Sequence, residues 1–211
     1  AYTVQGEHDK AIEELEAIMT DYPDLAVVYK NLGNVYQSKG EPAKAAEAYQ
    51  KVIETTPDDS AAQVQLGLAY EAADMPKKAI QTYQAILEEM PNSALTKNQL
   101  AWLYADQGEQ LDEALRLAQE AVEARPAAGI IDTLGWVHYK REEYEQAVEQ
   151  FQAALDISPL QPTIRYHLGV TYADQGETAL AIQELENALS IDAEFREAAE
   201  ARQLLEELKN Q

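Results

Sequence analysis

Residues 31–57 read NLGNVYQSKGEPAKAAEAYQKVIETTP, and this spacing of small, aromatic and proline residues recurs along the chain. The small residue that follows a leucine returns at one constant interval, at Gly33, Gly67, Ala101, Gly135 and Gly169. A period of roughly 20 to 50 residues indicates that neighbouring repeats share one hydrophobic core. The repeat therefore decides the fold.

Each repeat contains residues suited to the close crossing of two helices and residues suited to ending each helix. Three residues after the small residue stand Tyr36, Tyr70, Tyr104, His138 and Tyr172. Four residues further on, the turn positions are Gly40, Asp74, Gly108, Glu142 and Gly176. Glycine there tolerates the left-handed conformation that ends a helix. Alanines at the close helix crossing are Ala45, Ala79, Ala147 and Ala181, and the prolines that end second helices are Pro57, Pro91 and Pro159.

These residues at these offsets resemble the tetratricopeptide repeat family, and the resemblance covers nearly the whole chain. It implies an all-α fold, a right-handed α-α superhelical solenoid of helix-turn-helix repeats, whose first helices line a concave groove. The boundaries predicted for this single solenoid are a truncated repeat at 1–25, full repeats at 26–59, 60–93, 94–127, 128–161 and 162–195, and a capping helix at 196–211.

Both ends and the third repeat depart from the pattern. The residues that fit an earlier repeat are Tyr2, Gly6, Ala11, Leu15 and Pro23, so we expect a fragment of a longer repeat protein. In the third repeat, one residue is added before Ala114 and one is removed after Pro126, which predicts a displaced helix over 111–124. Ala193 replaces the closing proline, and the apolar stripe of the capping helix is Ala198, Ala201, Leu204, Leu205 and Leu208.

Composition excludes several classes of partner. With 38 Asp plus Glu against 16 Lys plus Arg, the formal net charge is -22, which disfavours nucleic acid and anionic membrane surfaces. No apolar run approaches the ~20 residues that span a bilayer, so we expect no direct membrane insertion. The absence of cysteine is compatible with both reducing and oxidising compartments. The sequence therefore leaves the location open between the bacterial cytoplasm and the envelope or periplasm.

The sequence predicts neither an enzyme nor a cofactor or metal site. The three histidines, His8, His138 and His167, are scattered and form no metal-binding motif. His138 occupies a tyrosine position, which favours a packed core residue. For His167, two residues before Gly169, a packed position and a position at the groove edge both stay open.

The resemblance also assigns side chains to the groove, from fixed positions before and after the small residue. The candidate partner-binding residues are Lys30, Asn34, Val64, Leu68, Leu95, Asn98, Trp102, Asp132, Trp136, Tyr139 and Tyr166. From the second full repeat onward this set is apolar and aromatic, which favours an extended segment or amphipathic helix as the ligand. The alternative is that these rings pack against the helix of the next repeat.

A carboxylate clamp, which one subclass of the family uses to grip chaperone tails, is incomplete. Lys30 and Asn34 fit its first repeat, but Gln65 replaces an asparagine, and Leu95 and Gln99 replace the basic residues. Segments such as LAWLYADQG resemble bacterial envelope and export proteins. We therefore predict a scaffold or adaptor that binds a partner protein or peptide, with a self-assembling homo-oligomer as the alternative.

Overall fold

The computed structural model of the chain describes residues 7–210, so Tyr2 and Gly6 of the predicted truncated repeat lie outside the described residues. The described part is all-α and contains no strand. Its twelve helices are α1 His8–Asp21, α2 Ala26–Lys39, α3 Pro42–Thr55, α4 Ser60–Ala72, α5 Pro76–Glu89, α6 Ala94–Gln107, α7 Leu111–Ala124, α8 Ala128–Lys140, α9 Tyr144–Ile157, α10 Pro162–Asp174, α11 Thr178–Ile191 and α12 Ala198–Lys209. The predicted helix-turn-helix repeats are thereby confirmed.

The turn inside each repeat has the left-handed backbone that the sequence predicted. Gly40, Gly108 and Gly176 have φ values of 77, 67 and 81°. Asp74 and Glu142 adopt the same conformation, with φ values of 56 and 62°. A side chain in this conformation carries a steric cost that glycine avoids, so these two turns are strained relative to the other three.

In three repeats, the small residue of the first helix is explained by the ring that lies against it. A Cβ at Gly33 would lie 2.6 Å from Cε1 of Tyr49, and a Cβ at Gly135 would lie 2.6 Å from Cε1 of Phe151. These distances are too short for a methyl group, so glycine is required where an aromatic ring occupies the second helix. In the third repeat, the corresponding pair is Ala101 and Ala118, and both are fully buried.

First helices keep a constant spacing while second helices do not. The first helices α2, α4, α6, α8 and α10 begin at residues 26, 60, 94, 128 and 162. The second helices α5, α7 and α9 begin at residues 76, 111 and 144, so α7 starts one residue late and α9 is back in register. The predicted displacement of α7 is confirmed, and Gln110 accommodates it with a φ of 49°.

The helices form two compact units, which we call unit 1 (Ala1–Asn92) and unit 2 (Ser93–Gln211). In unit 1, Tyr49 and Leu66 lie in one core cluster, and Val28 and Leu32 pack with residues of α1 in another. In unit 2, α12 buries its predicted apolar stripe against a cluster that includes Leu185 and Phe195. None of the helices in residues 7–210 is both long and apolar enough to cross a bilayer.

Candidate functional site

Four rings on the first helices of unit 2 form what we call the aromatic surface: Trp102 on α6, Trp136 and Tyr139 on α8, and Tyr166 on α10. All four are partly exposed. The rings of Trp102 and Trp136 stack with centroids 5.7 Å apart and planes inclined by 24°. Trp136 stacks on Tyr139 at 4.8 Å. The tryptophans therefore contact the neighbouring repeat and still present ring area to solvent.

A buried histidine lies beneath these rings. His167 is only 2% exposed, and its ring centroid lies 4.5 Å from that of Trp136 and 5.7 Å from that of Trp102. Its Nδ1 lies 2.8 Å from Oδ1 of Asp132, which is also buried. His167 is thus a packed residue and does not border the surface. Asp132, which the sequence assigned to the groove, forms this contact with the histidine.

Acidic groups lie beside the tyrosines of the aromatic surface. The Tyr139 hydroxyl donates to Oδ2 of Asp174 at 2.7 Å. Burial, and secondarily Asp174, raises the pKa of Tyr139. Burial also raises the pKa of Tyr166, with additional effects from the carboxylates of Glu200 and Glu197. Both hydroxyls therefore stay protonated at neutral pH next to negative charge.

Two buried polar atoms on α6 and α8 have no hydrogen-bond partner among residues 7–210: Oδ1 of Asn98 and Nε1 of Trp136. Asn98 is 9% exposed, and its Nδ2 donates to Oε1 of Gln99 at 3.2 Å. Buried polar groups are costly unless they are paired. One of these atoms is an acceptor and the other is a donor, and both lie beneath the surface rather than on it.

The candidate residues of unit 1 are engaged differently. Lys30 Nζ lies 2.8 Å from Oδ2 of Asp59, whose carboxylate also caps α4 by accepting from the Ala62 N–H. The pKa of Asp59 is lowered mainly by the hydrogen bond from Lys30, and further by the hydrogen bond from the Ala62 N–H group. The Tyr49 hydroxyl lies 2.8 Å from Oδ1 of Asn34. Val64 and Leu68 are partly buried on α4.

Unit 1 also contains a concavity that the sequence did not predict. It has a volume of about 670 Å³, and its lining includes Met19 of α1, Met75, and two pairs of lysine and tyrosine. Lys44 lies 5.5 Å from the ring centroid of Tyr36, and Lys78 lies 5.2 Å from that of Tyr70. The signal in the sequence was a lysine eight residues after the repeat tyrosine.

His138 and His167 each lie against one carboxylate. His138 Nδ1 lies 2.7 Å from Oε2 of Glu143, and His167 is buried with Asp132 as described above. Within residues 7–210, no three side chains of His, Asp or Glu come together to hold a metal ion.

Sequence reasoning missed the hydrogen bonds between repeats, although a simple spacing would have found them. Asp132 and His167, like Tyr139 and Asp174, are 35 residues apart. This is one repeat plus one residue, which places the partners on adjacent first helices. The two tryptophans occupy the same position in consecutive repeats.

Comparison with known proteins relates five segments of the chain to one family. Profiles described as tetratricopeptide repeat match residues 26–59, 61–93, 93–125 and 162–195, and a profile described as TPR repeat matches residues 135–176. Photosystem I assembly protein Ycf3 of Synechococcus sp. (strain CC9311) is 30% identical over 36% of this chain and 42% of its own length. Tetratricopeptide repeat protein 13 of Homo sapiens is 27% identical over 42% of this chain and 10% of its own length. The chain therefore spans less than half of either relative.

Several solved structures are similar. A thermophilic TPR protein of Thermus thermophilus has a TM-score of 0.73 at 18% identity, covering 88% of this chain and 100% of that one. MamA of Desulfovibrio magneticus RS-1 has a TM-score of 0.68 at 20% identity, covering 81% of this chain and 97% of that one. YrrB, described as a TPR protein with an unusual peptide-binding site, has a TM-score of 0.61 at 23% identity, covering 91% of this chain and 99% of that one. At these identities the similarity shows the fold alone.

Proposed function

We propose, from the premise that this chain belongs to the tetratricopeptide repeat family, that it is a non-enzymatic scaffold which binds a partner peptide or helix on the aromatic surface. Members of this family are generally protein-interaction modules. The resemblance to bacterial envelope and export proteins extends the proposal to a partner within such an assembly.

The stacked pair of Trp102 and Trp136 is the observation that carries this proposal. Tryptophan buries a large apolar area while few rotatable bonds lose freedom, and it is enriched among the residues that dominate binding energy. The pair rests on His167, which Asp132 holds in place. Because the rings are already fixed, a ligand would lose little binding energy to ordering them.

The partly exposed rings lie on three consecutive first helices, and an extended segment can follow them from one repeat to the next. YrrB is described as having an unusual peptide-binding site, which supports peptide binding as a use of this fold. Apolar side chains of the segment would then cover the rings.

The test is a selection of random dodecapeptides displayed on phage against the immobilised chain. Trp102 and Trp136 are the only two tryptophans, so their emission reports directly on a peptide that covers the surface. We expect selected peptides to shift this emission. In calorimetry, Trp102→Ala/Trp136→Ala should weaken their binding at least ~30-fold, since truncating central anchors costs about 2 kcal/mol or more.

Two controls separate loss of the surface from loss of the fold. Leu160→Ala removes an apolar side chain that is 75% exposed in the turn after α9, and it should leave binding unchanged. Leu95→Ser removes an exposed apolar side chain at the start of α6 without opening the core or adding charge. It should weaken binding, and it replaces the tryptophan variant as the test if that variant fails to fold. Equal binding by a helical tryptophan variant would contradict the proposal.

Self-assembly is the second candidate, and exposed apolar residues of unit 1 favour it. Tyr22 is 63% exposed and Val27 is 55% exposed, and Ile18 of α1 and Leu25 before α2 are exposed as well. Sedimentation measurements across a ~100-fold range of concentration would show a rising mass. The Tyr22→Ser/Val27→Ser variant should then remain monomeric, whereas a mass that stays at the monomer value in the unmodified chain would exclude this candidate.

A further inference from the structure

We infer that the segment bound by the aromatic surface is cationic, with an arginine or lysine next to its apolar anchor. This inference rests on the proposed function and specifies the chemistry of the partner. Its basis is the set of carboxylates at the edge of the surface and the cations available to them within the chain.

Asp174 and Glu200 are exposed carboxylates at the edge of this surface. Asp174 accepts from the Tyr139 hydroxyl, and Glu200 lies close enough to raise the pKa of Tyr166. Among residues 7–210, neither forms an ion pair with a lysine or arginine. Glu197 adds a third carboxylate, which accepts from the Thr163 hydroxyl at 3.0 Å.

The positive groups nearby are few, and most have partners. Lys140 lies 5.3 Å from the ring centroid of Trp136, and Arg196 Nε is 3.8 Å from Oε1 of Glu197. Arg165 pairs with Glu184 of α11. The wider surroundings are acidic too, because residues 93–211 contain 22 Asp plus Glu against 9 Lys plus Arg. An acidic ligand would therefore be repelled.

A guanidinium or ammonium group suits both components of this surface. It is attracted to the face of a tryptophan or tyrosine ring, and it pairs with a carboxylate through charge-assisted hydrogen bonds. The negative field of unit 2 would also accelerate the encounter with a basic segment, in a way that salt screens. Rings flanked by unpaired carboxylates thus favour a basic segment with an apolar anchor.

The dodecapeptide selection tests this inference through the composition of the peptides. We expect peptides whose binding depends on Trp102 and Trp136 to be enriched in arginine and lysine relative to the starting library. The variant Asp174→Asn/Glu200→Gln should bind them about 5- to 10-fold more weakly at low salt, as expected for two partly exposed pairs. The loss should shrink in ~0.5 M salt.

The matched control is Glu145→Gln/Glu149→Gln, which removes two exposed charges from α9 outside the aromatic surface. It should change binding less than ~2-fold, as expected for screened charges away from the ligand. If the tryptophan-dependent peptides are neutral or acidic, this inference is overturned and the proposed function stands. The same conclusion follows if the two charge variants weaken binding equally. A selection that yields no tryptophan-dependent peptide would overturn both.

Discussion

Units 1 and 2 are built from the same helical repeat, yet they present different side chains at equivalent positions. In unit 1, the ring that packs against the repeat glycine is Tyr49 or Tyr83, and its hydroxyl bonds to Asn34 or to Glu71. In unit 2, the corresponding residues are Ala118, Phe151 and Leu185, which have no hydroxyl group.

This difference shows how one backbone yields two kinds of surface. The tyrosine hydroxyls of unit 1 reach the first helix and engage polar groups there. In unit 2 the residues of the same register end in hydrocarbon, and the first helices instead carry stacked rings over a buried histidine. The choice of residue in the second helix therefore affects which chemistry the first helix presents.

The largest expected effect tests the feature that both units share. Gly67→Ala would drive a Cβ into Cε1 of the fully buried Tyr83 in unit 1. Gly169→Ala would meet Leu185 of unit 2 at 3.0 Å. We expect urea denaturation to show a loss of about 3 kcal/mol for the first variant and under about 1 kcal/mol for the second. Similar losses would contradict ring contact as the reason for glycine.

The next effect is confined to the buried pair of unit 2. Asp132→Ala leaves the His167 ring without its acceptor, which should cost about 2 kcal/mol of folding free energy and shift the emission of the tryptophans above it. Asp132→Asn retains an acceptor oxygen and should cost less. In unit 1, Asn34→Ala removes a partly solvated bond and should cost under about 1 kcal/mol in the same denaturation assay.

The fold was predictable from the sequence because the constant period of the repeat fixes where helices begin and end. Even the irregular helix α7 spans the predicted residues, since one added and one removed residue leave the next first helix in register. Spacing alone also placed Trp102 and Trp136 on equivalent positions.

The details of the surface were less predictable, because spacing gives the face of a helix but not the partner of a side chain. Spacing assigned Lys30 and Asn34 to the groove but did not reveal that Asp59 and the Tyr49 hydroxyl engage them within unit 1. The packing of His167 under the tryptophans depends on rotamers of residues from three repeats, which the period does not determine.

A smaller effect concerns the two turns without glycine, one in each unit. Asp74→Gly and Glu142→Gly should each raise the free energy of unfolding by about 0.5 to 1 kcal/mol, because glycine relieves the left-handed strain but loses more backbone entropy. Gly40→Ala should have the opposite sign. If thermal melting shows destabilisation by both glycine variants, the side chains of Asp74 and Glu142 contribute contacts that outweigh the strain.

The prediction with the smallest effect at neutral pH concerns the Tyr49 hydroxyl, which the corresponding residues of unit 2 lack. Burial raises the pKa of Tyr49 to about 12, whereas an unfolded tyrosine ionises near pH ~10. Its contribution to stability is therefore fully present below pH ~10 and is lost as the pH rises towards ~12. Tyr49→Phe should reduce the decline of the urea midpoint over this range, and an unchanged decline would assign it to other tyrosines.

The constant spacing of the first helices also has a consequence for exchanging repeats between proteins of this family. A segment cut from residue 94 to residue 127 has the same length as every other repeat and contains both length changes of the third repeat. Cuts at the starts of second helices would instead give a segment that is one residue too long, from 76 to 110, or one residue too short, from 111 to 143. Only the first kind of cut yields a module that can be transplanted without moving every helix that follows it.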